Sequence, residues 1–158
     1  MEKTRRFYEE VIGLPLVATW SESDELFGAM RTYVHCFFGL ADGSALAFFQ
    51  FARKEDQDLF SPPIPESPFH HIALAVDEET QRGIRQRIAA AGIREPNTYV
   101  LEHGYCTSLY VKDPNGMVLE FTADHPKAEQ INATRKASAH AELRKWLGGD
   151  HTSNNTYR

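Results

Sequence analysis

The feature that most constrains the fold of this chain is an internal repeat. Two turn dipeptides, Asp42-Gly43 and Asn115-Gly116, are each flanked by Phe, Val, Leu and Tyr residues, a pattern that predicts a β-hairpin. Position 42 falls on position 115 at an offset of 73 residues, and the hydrophobic positions of the two hairpins then coincide. A repeat of this length predicts two copies of one supersecondary unit that share a core.

An amphipathic segment precedes each hairpin and predicts a helix. Residues 2–17 and 78–95 carry apolar side chains at helical spacing, with Gly13 and Gly92 as the stop signals. In front of the second helix, residues 69–77 alternate as a strand does. The second unit therefore reads β-α-β-β-β. The first unit reads α-β-β-β, and we expect its first strand to be missing from the chain.

The repeat predicts an α+β fold of two βαβββ modules, the first without its first strand, which form a curled mixed sheet around a cleft. We divide the chain into a single domain (1–124), made of module one (1–52), a linker (53–68) and module two (69–124), and a C-terminal region (125–158). The charges and four prolines of the linker predict no regular structure there.

A further helix is predicted after the repeat. Residues 126–147 begin with proline and are followed by Gly148-Gly149 as a stop signal, and we expect Ile131, Leu143, Trp146 and Leu147 to face inward. The polar residues that follow this helix are expected to fray or to contact a partner.

Composition excludes several classes of protein. No apolar run approaches the roughly 18 residues of a membrane span. A formal charge of −5 disfavours nucleic acid as a partner. Two cysteines cannot form a disulfide framework, and the N-terminal residues lack the apolar region of a signal peptide. We expect a cytoplasmic protein.

The paired modules, with the sequence HHIALAVD opening the second and DPNGMVLEF closing it, resemble the vicinal oxygen chelate superfamily. That superfamily contains glyoxalase I, extradiol ring-cleaving dioxygenases, fosfomycin resistance proteins and bleomycin-sequestering proteins. The resemblance covers residues 2–124 and implies a metal site in which a module's first strand supplies a histidine and its last strand a carboxylate. His71 and Glu120 match those two positions, while His70 should lie on the opposite face.

Physical chemistry supports this assignment independently. A charged Glu120 between Leu119 and Phe121 should not be buried unless it is paired or ligating. Imidazole and carboxylate together suit Fe(II) or Mn(II), our favoured ions, and also Zn(II) or Ni(II). The resemblance implies a third ligand from the missing strand of module one, so we expect a weak or unoccupied metal site. The position of module one equivalent to Glu120 is Ala47.

Four further residues are candidates for the site. Tyr110 lies ten residues before Glu120, a spacing that in extradiol dioxygenases belongs to a substrate-binding tyrosine, although core packing is an equal alternative. His103 is a candidate acid or base, or an exposed loop histidine. His35 and Phe49 are candidate substrate contacts on the aromatic strands, and His35 is also a possible substitute ligand.

These residues favour a metal-dependent, extradiol-dioxygenase-like oxidoreductase that acts on a small aromatic or oxygen-chelating molecule. A glyoxalase-type lyase or isomerase is the alternative, and Ala47 counts against it. A metal-free binding protein of the bleomycin-resistance type is the alternative from another class. We expect a homodimer, because the incomplete first sheet leaves an open edge and the last helix offers Trp146 and Leu147.

Overall fold

The computed structural model describes residues 1–65 and 67–158 and has the α+β architecture of two modules. Position 66 of the linker lies outside the described residues. The elements within the described ranges are, in chain order, α1 (Glu2–Arg6) continued by a π-helical stretch (Phe7–Ile12), β1 (Leu16–Leu26), β2 (Ala29–Gly39), β3 (Ala45–Phe51), α2 (Lys54–Phe60), β4 (His71–Ala75), α3 (Glu78–Ala90), β5 (Thr98–Glu102), β6 (Cys106–Lys112), β7 (Val118–Asp124) and α4 (Ala128–Leu147).

Module one is a helix followed by an antiparallel three-stranded sheet in the order β1-β2-β3. Its first helix ends at Gly13, whose φ of 94° is accessible to glycine without strain. The hairpin between β2 and β3 turns at Asp42 and Gly43, as predicted, with the Leu40 amide donating to the Ser44 carbonyl. No counterpart of β4 precedes the helix within the described part of this module.

Module two contributes a mixed four-stranded sheet in the order β4-β7-β6-β5, in which β4 runs parallel to β7. Asp77 caps α3 by accepting a hydrogen bond from the Thr80 amide at 2.6 Å. The offset of 73 carries the bounds of β3 onto the bounds of β7. The repeat deduced from the two turn dipeptides is therefore a structural repeat.

The core lies between the helices and one face of each sheet. Alternation along the strands sends every second side chain to this face, where it meets the apolar sides of the first helix and α3. The buried residues of this cluster are Phe7, Tyr8, Ile12, Cys36, Phe38, Ile84, Ile88, Leu109, Val111, Leu119 and Phe121.

Two of the polar contacts that join the modules lie around this core. The buried hydroxyl of Tyr8 donates to Oδ2 of Asp113 in the turn between β6 and β7, at 3.0 Å. The guanidinium of Arg87 on α3 donates to the carbonyls of Val11 and Ile12 at the end of the first helix, at 2.9 and 2.6 Å. Both contacts satisfy polar groups that would otherwise be left without partners.

The linker prediction was wrong in its first half. Residues Lys54–Phe60 form α2, because they precede the prolines and the helix gains contacts elsewhere in the fold. The Asp56 carboxylate pairs with Arg31 on β2 at 2.8 Å, and Gln57 accepts a hydrogen bond from the Phe51 amide. The described residues after Ser61 and before β4 contain no helix or strand, as the four prolines predict.

The last helix forms as predicted, but its inward face was predicted wrongly. The buried residues of this helix lie in its first turns, with Ile131 at 7% exposure, while Leu143, Trp146 and Leu147 are 55%, 58% and 76% exposed. Among the described elements, no helix or strand packs extensively on α4, which leaves these side chains uncovered. Within the described ranges, no helix has the length and apolar character needed to cross a membrane.

Candidate metal site

The four-stranded sheet gathers several of the chemically active side chains on one face. Glu120 on β7 lies between Ala73 on β4 and Tyr110 on β6, and Tyr110 in turn lies beside Tyr99 on β5. His71 is two residues before Ala73 and therefore shares its face. Four adjacent strands thus present an imidazole, a carboxylate and two phenols side by side.

His71 and Glu120 are in direct contact. The Nε2 atom of His71 lies 2.8 Å from Oε2 of Glu120, whose side chain is only 9% exposed. The other ring nitrogen, Nδ1, lies 3.0 Å from the Pro68 carbonyl oxygen. A carbonyl oxygen only accepts hydrogen bonds, so Nδ1 carries a proton and donates it.

This arrangement fits a cation between the two side chains. A neutral His71 ring with its proton on Nδ1 presents a lone pair at Nε2, which a carboxylate oxygen at 2.8 Å repels. A proton or a metal ion between the atoms removes the repulsion. When two donor atoms bind one ion at about 2.1 Å each and at a right angle, they lie about 3.0 Å apart. The distance between Nε2 of His71 and Oε2 of Glu120 therefore needs to increase by only a few tenths of an ångström. The bond from Nδ1 to Pro68 is the outer contact that metal-binding histidines ordinarily make.

Tyr110 completes the surroundings of the carboxylate. Its hydroxyl donates to Oε1 of Glu120 at 2.9 Å, and the His103 Nε2 atom lies 3.4 Å from the same hydroxyl. Burial, and then the hydrogen bond to Glu120, raise the pKa of Tyr110 to about 12. The phenol therefore keeps its proton at neutral pH and acts as a donor. Burial and the charge of Glu120 also raise the pKa of Tyr99, whose ring stacks on Tyr110 with centroids 4.8 Å apart.

Comparison with protein-family models identifies the chain's relatives. The model of the Glyoxalase/Bleomycin resistance protein/Dioxygenase superfamily matches residues 1–121. The chain belongs to this superfamily. Comparison with curated proteins finds no relative of significant similarity.

Solved structures of superfamily members share the fold at low sequence identity. The fosfomycin resistance protein FosX of Listeria monocytogenes is 20% identical, with a TM-score of 0.52 over 80% of this chain and 87% of its own. A glyoxylase/bleomycin resistance protein/dioxygenase domain from Frankia sp. EAN1pec is 18% identical, with a TM-score of 0.51 over 80% and 84%. FosX of Mesorhizobium loti is 17% identical, with a TM-score of 0.51 over 83% and 88%.

The two remaining candidate residues, His35 and Phe49, lie on the three-stranded sheet of module one. His35 on β2 is the cross-strand partner of Phe49 on β3, and their rings stack with centroids 3.8 Å apart. The buried Nε2 atom of His35 has no hydrogen-bond partner within the described structure. Among residues 1–65 and 67–158, no third His, Cys, Asp or Glu joins His71 and Glu120 in a metal-binding group.

Sequence reasoning missed two residues that shape the site. Tyr99 could have been found from the alternation of β5, since it pairs with Tyr110 across the strands. Pro68 offers no such signal, because its contribution is a backbone carbonyl whose position depends on the turn before β4. His70, which precedes β4, is exposed.

Proposed function

We propose that this protein is a divalent-metal-dependent enzyme, with Fe(II) or Mn(II) held by His71 and Glu120, that cleaves the ring of a small aromatic vicinal diol. The observation that carries the proposal is the 2.8 Å approach of His71 Nε2 to Glu120 Oε2, with the opposite ring nitrogen fixed on the Pro68 carbonyl. A buried carboxylate beside the ring nitrogen of a histidine whose orientation is fixed is the donor set that such ions favour.

The solved relatives lend support to a metal of this kind. One crystal structure of the Listeria FosX is a complex with Mn(II) and a sulfate ion. When bound, such an ion acts as a Lewis acid and as a template for adjacent substrate oxygens. Since the described residues offer two donors, such an ion would keep coordination positions for solvent and for both oxygens of a vicinal diol.

The residues around the pair suit the handling of such a substrate. Tyr110 holds Glu120 by donating its single hydroxyl proton, which its raised pKa keeps on the oxygen at neutral pH. His103, 3.4 Å from that hydroxyl, is the group that takes a proton from a substrate oxygen and returns it. The partly exposed ring of Tyr99, which stacks on the buried Tyr110, offers a face for an aromatic ring.

A metal-free binding protein is the second candidate, because the described residues offer two donors and these already contact each other. In that case His35 and Phe49 are the ligand contacts, on an aromatic face where Trp20 and Phe49 are 60% and 51% exposed. A glyoxalase-type enzyme is less suited to this chain, since the residue equivalent to Glu120 in module one is Ala47.

Metal titration distinguishes the candidates. Isothermal calorimetry with Mn(II), and with Fe(II) under anaerobic conditions, should detect one site in the wild-type protein. His71→Ala and Glu120→Gln should abolish this site, while His70→Ala, a change at the exposed neighbour, should not affect it. Oxygen uptake with catechol in the presence of Fe(II) then tests ring cleavage. Absence of metal binding to the wild-type protein would refute the enzyme and favour the binding protein.

We also propose that the protein is a homodimer. The strand β4 is the edge of its sheet, so its outer backbone groups are available for pairing. Trp146 and Leu147 are exposed at the end of α4, where a second chain can cover them.

A further inference from the structure

His103 lies in the loop between β5 and β6, and hydrogen bonds within module two fix the inner side of this loop, which faces the four-stranded sheet. The His103 amide donates to the Cys106 carbonyl at 2.9 Å, which closes a tight turn. The Glu102 carboxylate accepts hydrogen bonds from the Gly104 amide at 2.9 Å and from the Thr107 hydroxyl at 2.6 Å. These bonds shape the backbone of the loop, and the Tyr105 ring lies beside the His103 ring with centroids 5.9 Å apart, but none of these contacts involves the outer side of the loop.

Residues 150–158, which we call the tail segment, lie on that outer side. The Asn155 side chain donates from Nδ2 to the His103 carbonyl at 3.2 Å. Gly104 has a φ of +82°, and a Cβ atom built there would lie 2.2 Å from the Tyr157 carbonyl oxygen. Only glycine allows two backbones to approach so closely. The tail segment therefore packs directly on the loop.

The tail segment is itself anchored to α4. The Arg135 guanidinium donates to the Asn154 carbonyl and lies over the Tyr157 ring, 5.5 Å from its centroid. The Asn154 side chain donates to Glu142 at 3.0 Å. Asn155 also accepts a hydrogen bond from the Tyr157 amide at 3.0 Å, so both ends of its amide group are engaged and its orientation is fixed.

We propose that Asn155 and Tyr157 are positioning residues that hold His103 against Tyr110, so that the tail segment completes the site built by module two. The inference rests on the role proposed above for His103. Every residue of the segment after Asp150 is exposed, so the segment buries little apolar surface and contributes little to the core. What its contacts do fix is the position of the backbone from which the His103 ring reaches the Tyr110 hydroxyl.

The test compares Asn155→Asp with the wild-type full-length chain. Aspartate is nearly isosteric and keeps the oxygen that accepts from Tyr157, but it removes the donor to His103 and faces that carbonyl with a charge. Tyr157→Ala removes the ring under Arg135. His151→Ala is the matched control, because this tail residue instead stacks on Trp146.

The first readout does not require activity. In the metal-free protein, nitrogen-15 NMR of the His103 imidazole, assigned with His103→Gln, should show shifted or broadened ring signals in Asn155→Asp and Tyr157→Ala. The signals should be unchanged in His151→Ala. Unaltered His103 signals in both tail variants would overturn the proposal, whether or not the protein binds metal.

The second readout separates positioning from a merely structural role. With Fe(II) and catechol, Asn155→Asp should lower kcat about tenfold while KM and Mn(II) affinity stay within about twofold. In a His103→Gln background the same substitution should cause no further loss, because the residue acts through His103. An additional tenfold loss in that background would contradict the proposal. If catechol is not turned over, the proposed reaction fails and the NMR result alone decides the positioning role.

Discussion

The contact between Tyr8 and Asp113 allows a quantitative test of how module one is held to module two. Tyr8 is fully buried, and its hydroxyl donates to Oδ2 of Asp113, which is itself 4% exposed. The Asp113 carboxylate also accepts from the amides of Asn115 and Met117, each at 2.8 Å, and from the Asn115 side chain. This network closes the turn between the two strands that carry Tyr110 and Glu120.

Tyr8→Phe should lower the free energy of unfolding by about 1.5–2 kcal/mol. A hydrogen bond to a charged group contributes about 1.5–3 kcal/mol. The lower half of that range applies because three other donors still satisfy the carboxylate after the substitution. Asp113→Ala removes all four bonds and leaves a buried hydroxyl without a partner, so we expect a loss of about 3–4 kcal/mol.

Urea unfolding monitored by circular dichroism measures both losses, provided that the m-value is unchanged. Tyr33→Phe is the control, since the Tyr33 hydroxyl donates to Asp24 at an exposed site and its loss should cost no more than about 0.5 kcal/mol. Burial and the charge of Asp113 raise the pKa of Tyr8. The folded state then retains a proton that the unfolded state loses, so stability should fall as pH rises above about 10, and less steeply in Tyr8→Phe. A cost for Tyr8→Phe no larger than that of the control would refute this account of the network.

Two further predictions concern the helix contact and the assembly. Arg87→Ala removes two hydrogen bonds to the carbonyls at the end of the first helix and should lower the free energy of unfolding by about 1–2 kcal/mol in the same urea assay. Arg85→Ala, also on α3, is the control and should be nearly neutral. Equal effects of the two substitutions would contradict the capping role of Arg87. Light scattering at micromolar concentration should give twice the chain mass of 17.9 kDa, and Trp146→Glu should shift it towards that of a monomer. A monomeric wild-type protein would contradict the proposed dimer.

The sequence predicted the repeat because the repeat depends on local patterns, since the turn dipeptides determine the register of each hairpin. In the structure this register pairs Tyr110 with Glu120, which the sequence analysis had related only by their spacing of ten residues. The strand of His71 could be aligned with the strand of Glu120 only through the superfamily resemblance, because parallel strands have no turn between them to determine their register.

Elements that depend on distant partners were predicted less well. The helix α2 follows from the contacts that Asp56 and Gln57 make with β2 and β3, which no local pattern reveals. The end of α4 is exposed because no helix or strand in the described part of the chain packs extensively on it, although its sequence is compatible with burial. The contacts of the tail segment with the His103 loop involve backbone carbonyls and a glycine, and such groups carry no distinctive side-chain pattern.

The difference between the two modules explains where the chemistry lies. Phe37 pairs with Ala47 in module one at the positions where Tyr110 pairs with Glu120 in module two. The first pair lacks both the hydroxyl and the carboxylate, so this part of the module one face has no donor and no acceptor in its side chains. What replaces them is an aromatic surface in which the His35 ring lies against Phe37 and Phe49. Because the backbone register is the same, the substitutions change the chemistry of one face without changing the fold. Module two therefore supplies the polar groups of the proposed metal site, and the equivalent positions of module one carry an aromatic surface instead.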